Sequence, residues 1–433
     1  MENKGFKYKQ SYTVIFALNY FSQGLVFTIF TAVIPIYLLT TYGSIDQAAL
    51  AFMLSIMLIP ATIKIFYGLL SDKVTFKKLG RRKPWIISSA CFGGIVWIII
   101  SFIQTQTINE AISLFTIAGL LIMFGLFISD TALDGFLLDI CPKEQLGRNQ
   151  GVCWGLRAVG IIIGGPIILL FLIFIPIQFI FIMVGIILIV FSFLTLKIEH
   201  IDISKEFAIG KNLKLIFKSG ENWKMFTFSF FIQTVGGVVY AFLSLYILIQ
   251  LGLVNPVGAT LDTLEDVSLY ESQAIITLFI SLGIIVGAIL GGIISDKTTR
   301  KKSLIMSLSL NTVSLVILLL PVPAVLLIIF ATLVGVASGW IFSAYSAITA
   351  EYSQQYPEMD STYFAICVSF VNVGTLLGLV ITGILFNSVT TFSNDIIIIY
   401  GIIFIFMAIL QLLSLIPFSS MNKEIFEYKL KKE

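Results

Sequence analysis

Charge is scarce in this sequence: only 12% of its 433 residues are Asp, Glu, Lys or Arg. A soluble domain carries roughly 25%. With 58% hydrophobic residues and a mean hydropathy of +1.01, the chain cannot be an ordinary water-soluble globule. Histidine occurs once, as His200 in a polar stretch, which excludes a histidine proton relay inside a membrane. Cys91, Cys141, Cys153 and Cys367 are scattered without ligand spacing, so neither a disulfide nor a metal site is expected. No glycine-rich phosphate loop and no catalytic constellation appear, so the chain reads as neither an ATP-driven pump nor an enzyme, and no cofactor is expected. The first ten residues, MENKGFKYKQ, are polar, and the run after them is too long for a signal peptide's apolar region.

Long apolar runs are what the chain does have. Twelve predicted helices cover 12–39, 46–70, 85–105, 111–138, 150–173, 176–196, 223–251, 271–294, 302–320, 324–350, 361–388 and 394–418. Each can cross a bilayer core. With both termini cytoplasmic, 25 of the 27 Lys and Arg fall in cytoplasmic segments or at their edges. That is the distribution retained positive charge produces. Only Lys64 and Arg157 lie inside spans. The net charge of +3 follows from this bias and calls for no nucleic-acid partner.

The sequence also repeats. Gly68-Leu-Leu-Ser-Asp72-Lys73 closes the second span, and Gly292-Ile-Ile-Ser-Asp296-Lys297 closes the eighth. Basic loops follow both: KKLGRRK (77–83) and TRKK (299–302). The expected fold is an all-α membrane protein of two six-helix, pseudo-symmetric bundles, 1–196 and 223–433, joined by a cytoplasmic linker, 197–222. Internal repeats around a midplane site are a signature of secondary transporters. The linker is expected to hold an interfacial amphipathic helix.

A Gly-x-x-x-Asp-Lys segment leading into Gly80-Arg81-Arg82-Lys83, on a twelve-span chain with this repeat, resembles the major facilitator superfamily. The loop carries an insertion, VTFKKL (74–79). With PATIKIFYGLLSD (60–72), YFSQGL (20–25), DTALDGF (130–136) and STYFAICVSFVNVG (361–374), it is similar to the branch of AmpG-type muropeptide permeases and acetyl-CoA transporters. Glycoside–cation symporters share the long loop ending in GRRxP. The resemblance implies alternating access and a cytoplasmic gate that latches the two halves together. Its residues here would be Gly68, Asp72, Lys73, Arg81, Arg82, Asp139, Arg148, Asp296, Arg300 and Glu351.

Depth bookkeeping then isolates a charged cluster. At 1.5 Å per residue, Asp134 and Asp130 lie roughly 7 and 13 Å above the cytoplasmic end of their helix, near Asp139. Lys64 and Arg157 reach similar depth, roughly 12 and 13 Å. Each charge costs about 2.5–3.5 kcal/mol at the bilayer centre, so the four should face a cavity and one another. One reading is a salt-bridge cluster that only fixes packing. The other is that one of the two carboxylates exchanges a proton, Asp134 before Asp130 as the resemblance implies, while Lys64 or Arg157 binds an anionic substrate. Asn19, Gln23, Gln233, Asn311 and Asn372 are weaker cavity candidates. The glycines of the fifth span, 151 to 165, are expected to serve close helix packing.

The expected protein is therefore a multi-pass transporter of the cell membrane, monomeric in the lipid bilayer. It moves a small glycoconjugate or organic anion with a coupling ion, a proton or else sodium. Sugar–cation symport is an alternative substrate class. A non-transporting assembly factor or a lipid scramblase on the same fold is the alternative of another class.

Overall fold

The structure is a computed structural model that describes residues 8–73, 79–199, 209–255, 266–356 and 359–427. Among the described residues the regular elements are helices, of which ten are long and apolar enough to cross a membrane. We label the principal segments in chain order. α1 is Gln10–Tyr42, α2 Gln47–Met57, α3 Lys64–Lys73, α4 Lys83–Ile100 and α5 Ile108–Ile140. α6 is Lys143–Ile162, α7 Ile177–Leu194, α8 Ile209–Lys218 and α9 Gly220–Gln250. α10 is Asp266–Lys297, α11 Arg300–Ile317, α12 Ala324–Ser353, α13 Asp360–Val389 and α14 Ile396–Leu412.

The expected second span, 46–70, is not one helix. It is α2, a short turn Ile59–Thr62 and α3. Pro60 lacks the N–H that would continue the ladder, and Ile63 leaves helical geometry at φ −104°, ψ 19°. The broken turn leaves a carbonyl at Ala61, which accepts a hydrogen bond from Asn372 Nδ2 of α13 at 3.0 Å. The expected ninth span, α11, is an 18-residue helix that begins on three basic residues. α1 loosens into a π-helical stretch at Ile29–Val33, and α6 runs into another at Ile163–Ile167, which contains Pro166. α9 kinks at Gln233, whose carbonyl accepts from the Gly236 N–H at 3.0 Å and from the Thr375 hydroxyl of α13 at 3.2 Å.

Close backbone approach holds α1 to α6. A Cβ at Gly160 would sit 2.1 Å from the Phe21 carbonyl oxygen, and one at Gly164 would sit 2.6 Å from that of Leu25. The expected packing role therefore holds there. Gly151 and Gly155, by contrast, meet nothing within 4 Å and border open space. Away from the core, faces such as Phe92, Ile95 and Ile99 of α4 point outward, an apolar surface suited to lipid.

At the end of the bundle opposite the termini, elements from the two halves of the chain meet. Thr40 and Tyr270 share a 2.9 Å hydrogen bond, and the Phe52 ring fills the space over Gly383. The linker helix α8 presents exposed Leu215 and Phe217. Trp223 Nε1 donates to the Phe217 carbonyl at 2.8 Å.

Candidate transport site

Lys64 opens α3 directly after the break, and this places its ammonium against α5. There Lys64 Nζ donates to Asp130 Oδ2, while the Phe127 ring lies 5.6 Å away. Both partners are largely buried, at 11% and 6% side-chain exposure. Asp134, one turn along α5, is held differently: the Tyr20 hydroxyl of α1 donates to its Oδ1. Two carboxylates on one face thus have different partners, a cation for Asp130 and a neutral phenol for Asp134. Among the described residues, Asp134 has no cation at ion-pairing distance.

Arg157 completes the cluster without joining an ion pair among the described residues. Its guanidinium lies over the Trp154 ring at 4.9 Å, and Nη1 approaches Gln23 Oε1 at 3.5 Å. Trp154 stands edge-on to Tyr20 at 5.9 Å and meets Phe342 of α12 at 5.7 Å. Tyr20, Trp154 and Phe342 were not singled out by the sequence. Trp154 had an available signal, three residues before Arg157 on the same helix face. Phe342 had none, because only the fold brings α12 to α6.

The weaker polar candidates separate. Gln23 does reach Arg157. Asn19 is not a cavity residue: it is buried, and its amide donates to the Ile15 and Phe191 carbonyls. Asn311 is fully buried against Gln411 at 2.7 Å, between α11 and α14. Asn372 bonds the broken helix as described. Gln233 marks the kink in α9 through its backbone. An amide in an apolar helix satisfies a neighbouring carbonyl as readily as a ligand, and three of these five do so or pair with another amide.

The gate candidates form compact pairs within each half. Arg81 Nη2 donates to both oxygens of Asp139, at 2.7 and 2.8 Å. Arg82 Nε reaches the same carboxylate at 3.2 Å, and its Nη1 donates to Ser71 at 2.7 Å. Among the described residues, Asp139 is thus held by two arginines of the basic loop after α3. The side chains of Asp72, Lys73, Arg148 and Asp296 lie outside the described residues. In the other half, Arg300 Nη2 lies 3.5 Å from Glu351. Glu427, read from sequence only as tail, accepts from the backbone N–H groups of Arg300 and Lys301, both at 3.0 Å. It thereby caps the start of α11.

Gly135 has a role the sequence did not show. A Cβ there would sit 2.5 Å from the Arg82 guanidinium carbon, whereas one at Gly68 meets only the Thr131 methyl at 3.7 Å. Gly135→Ala is expected to lower stability by about 1–3 kcal/mol, the usual cost of overpacking. Gly68→Ala should be tolerated. Thermal unfolding of both variants checks this; equal losses would show that the Arg82 contact is not the cause.

The family described as Major Facilitator Superfamily matches residues 16–263 and 254–424. A curated relative, probable folate-biopterin transporter 4 of Arabidopsis thaliana, is 26% identical over 151 residues, 34% of this chain and 30% of the relative. The match thus spans under a third of that relative's length. Among solved structures, nucleoside transporter NupG superposes with a TM-score of 0.69 at 13% identity, over 94% of this chain and 98% of that one. D-xylose-proton symporter gives 0.68 at 14%, over 94% and 97%. A bacterial homologue of the human lysosomal transporter Spinster, inward-facing and unoccupied, gives 0.63 at 13%, over 98% of both chains. These likenesses share the helical architecture built above, and the family match spans nearly the whole chain. The protein is a multi-pass membrane protein that belongs to the major facilitator superfamily.

Proposed function

We propose that the protein is a secondary transporter that couples proton movement to the passage of a small organic anion. The observation that carries the reading is the unequal pairing of the four intramembrane charges. Lys64 neutralises Asp130. That leaves Asp134, held by a phenol, to exchange a proton, and Arg157, outside any ion pair among the described residues, to receive an anion. A guanidinium is suited to this, since its planar fork matches carboxylate and phosphate. The curated relative is named for folate and biopterin, and folate is an organic anion, which supports the class. The muropeptide and acetyl-CoA branch read from the loop offers anions of other shapes.

In this reading the chain crosses the membrane twelve times, the ten long apolar helices being joined by the α2–α3 pair and by α11. Both termini face the cytoplasm, the side where Lys and Arg collect. Residues 1–196 and 223–433 rock against each other as a monomer. The Arg81–Asp139 and Arg300–Glu351 pairs act in the cytoplasmic gate.

Proteoliposomes with an imposed pH gradient test this against folate, acetyl-CoA, a muropeptide and a neutral disaccharide. At least one anion is expected to enter with protons, the disaccharide not at all, and Arg157→Gln should cut anion uptake at least tenfold. Uptake driven by a sodium gradient but not by a pH gradient would replace the coupling ion. Disaccharide uptake, or no proton movement with any substrate, would sink the proposal.

A further inference from the structure

Trp154 and Phe342 are two large rings that touch yet stay open. They lie 5.7 Å apart, tilted by 57°, and come from α6 and α12, on opposite halves of the chain. Despite the contact they remain 42% and 38% exposed. Trp154 faces the space between the halves, since it reaches Phe342 on one side and Tyr20 on another. The helix surface around it carries Gly151 and Gly155, over which nothing stands within 4 Å. The Arg157 guanidinium is held against the same indole. Packing alone does not explain this set. Core aromatics here are closed in: Trp97, for example, is 0% exposed between Phe30 and Phe181.

We propose that Trp154 and Phe342 form a stacking clamp for a flat heteroaromatic ring whose anionic arm reaches Arg157. The proposal rests on the organic-anion reading and narrows its substrate class. A ring in van der Waals contact on both faces needs about 7 Å between the flanking rings, two contacts of about 3.5 Å each. The present separation is 5.7 Å, so a small parting of the halves admits it. Offset or parallel stacking then replaces the tilted contact. Because one jaw belongs to each half, the bound ring also bridges the parts that must move together.

The test uses the full-length protein in proteoliposomes under a pH gradient, with two monoanions as probes: pterin-6-carboxylate, which carries a flat ring, and cyclohexanecarboxylate, which does not. The wild type is expected to prefer the flat anion. Trp154→Ala and Phe342→Ala should each reduce its uptake roughly tenfold, in line with the stacking losses seen when aromatic platforms are truncated. Trp154→Phe and Phe342→Tyr should retain most of it, which also reports on folding. Uptake of cyclohexanecarboxylate should fall several-fold less than that of the flat anion in each alanine variant. Arg157-dependent uptake of both anions without preference, or equal losses for both in the alanine variants, would overturn the clamp and leave the anion reading standing. Failure of the wild type to move either probe, or any anion of the wider panel, would overturn both.

Discussion

Lys64→Met is expected to be among the most damaging single substitutions in the protein, and Asp130→Asn in the same chain is expected to repair most of the damage. The Lys64–Asp130 pair sits at 11% and 6% side-chain exposure within the bundle. Removing one member of such a pair strands a buried charge and costs about 3–5 kcal/mol, whereas removing both can be nearly neutral. The α3 helix begins at Lys64, so the loss also loosens the segment that leads toward Ser71 and the Arg82 contact. The midpoint of thermal aggregation, followed by size-exclusion of detergent-solubilised protein, measures both steps. Losses that simply add in the double variant would show that the two groups do not stabilise each other, and the assignment of Asp130 as the permanently paired carboxylate would fall.

Asp134→Asn is expected to leave the protein folded and in the membrane while abolishing accumulation against a gradient. For one proton per substrate, each pH unit contributes about 1.36 kcal/mol, or about a tenfold concentration ratio. In the variant that ratio should fall to one, while exchange of labelled for unlabelled substrate continues. The separation of the two assays follows from geometry. Asp134 meets the Tyr20 hydroxyl rather than a cation, so its amide analogue keeps a hydrogen-bonding partner and the local packing. A variant that still concentrates substrate tenfold per pH unit would transfer the coupling role elsewhere. Loss of exchange as well would make Asp134 part of the binding site.

Helix rise alone brought Lys64, Asp130, Asp134 and Arg157 to one depth, because distance along a helix is fixed by residue count. It could not say which carboxylate meets the lysine. That depends on how α3 and α5 are rotated about their axes, and the rotation is set by tertiary packing. Asp139 was legible as a helix-end residue, and the basic loop after α3 does supply its partners, Arg81 and Arg82. Pro60 was visible in the sequence, but the run around it is apolar throughout, so hydropathy passed over the break. Asn372 and Asn311 looked like ligand groups because an amide carries no mark of its partner. The Glu427 cap was hidden for another reason: it closes a helix 127 residues earlier, and no local pattern announces a contact of that separation.

In the proposed rocking of the two halves, the break before Lys64 would make water a participant. The Ala61 carbonyl is bonded by Asn372, a residue of the other half of the chain. Parting the halves at this level withdraws that amide. A backbone acceptor left bare in a hydrocarbon setting costs several kcal/mol, so the joint stays shut until a solvent molecule takes the amide's place. Hydration of the cleft and separation of the halves thus become a single event. The rate of that event should follow water activity: osmolytes excluded from the cleft are expected to slow the cycle without weakening substrate binding.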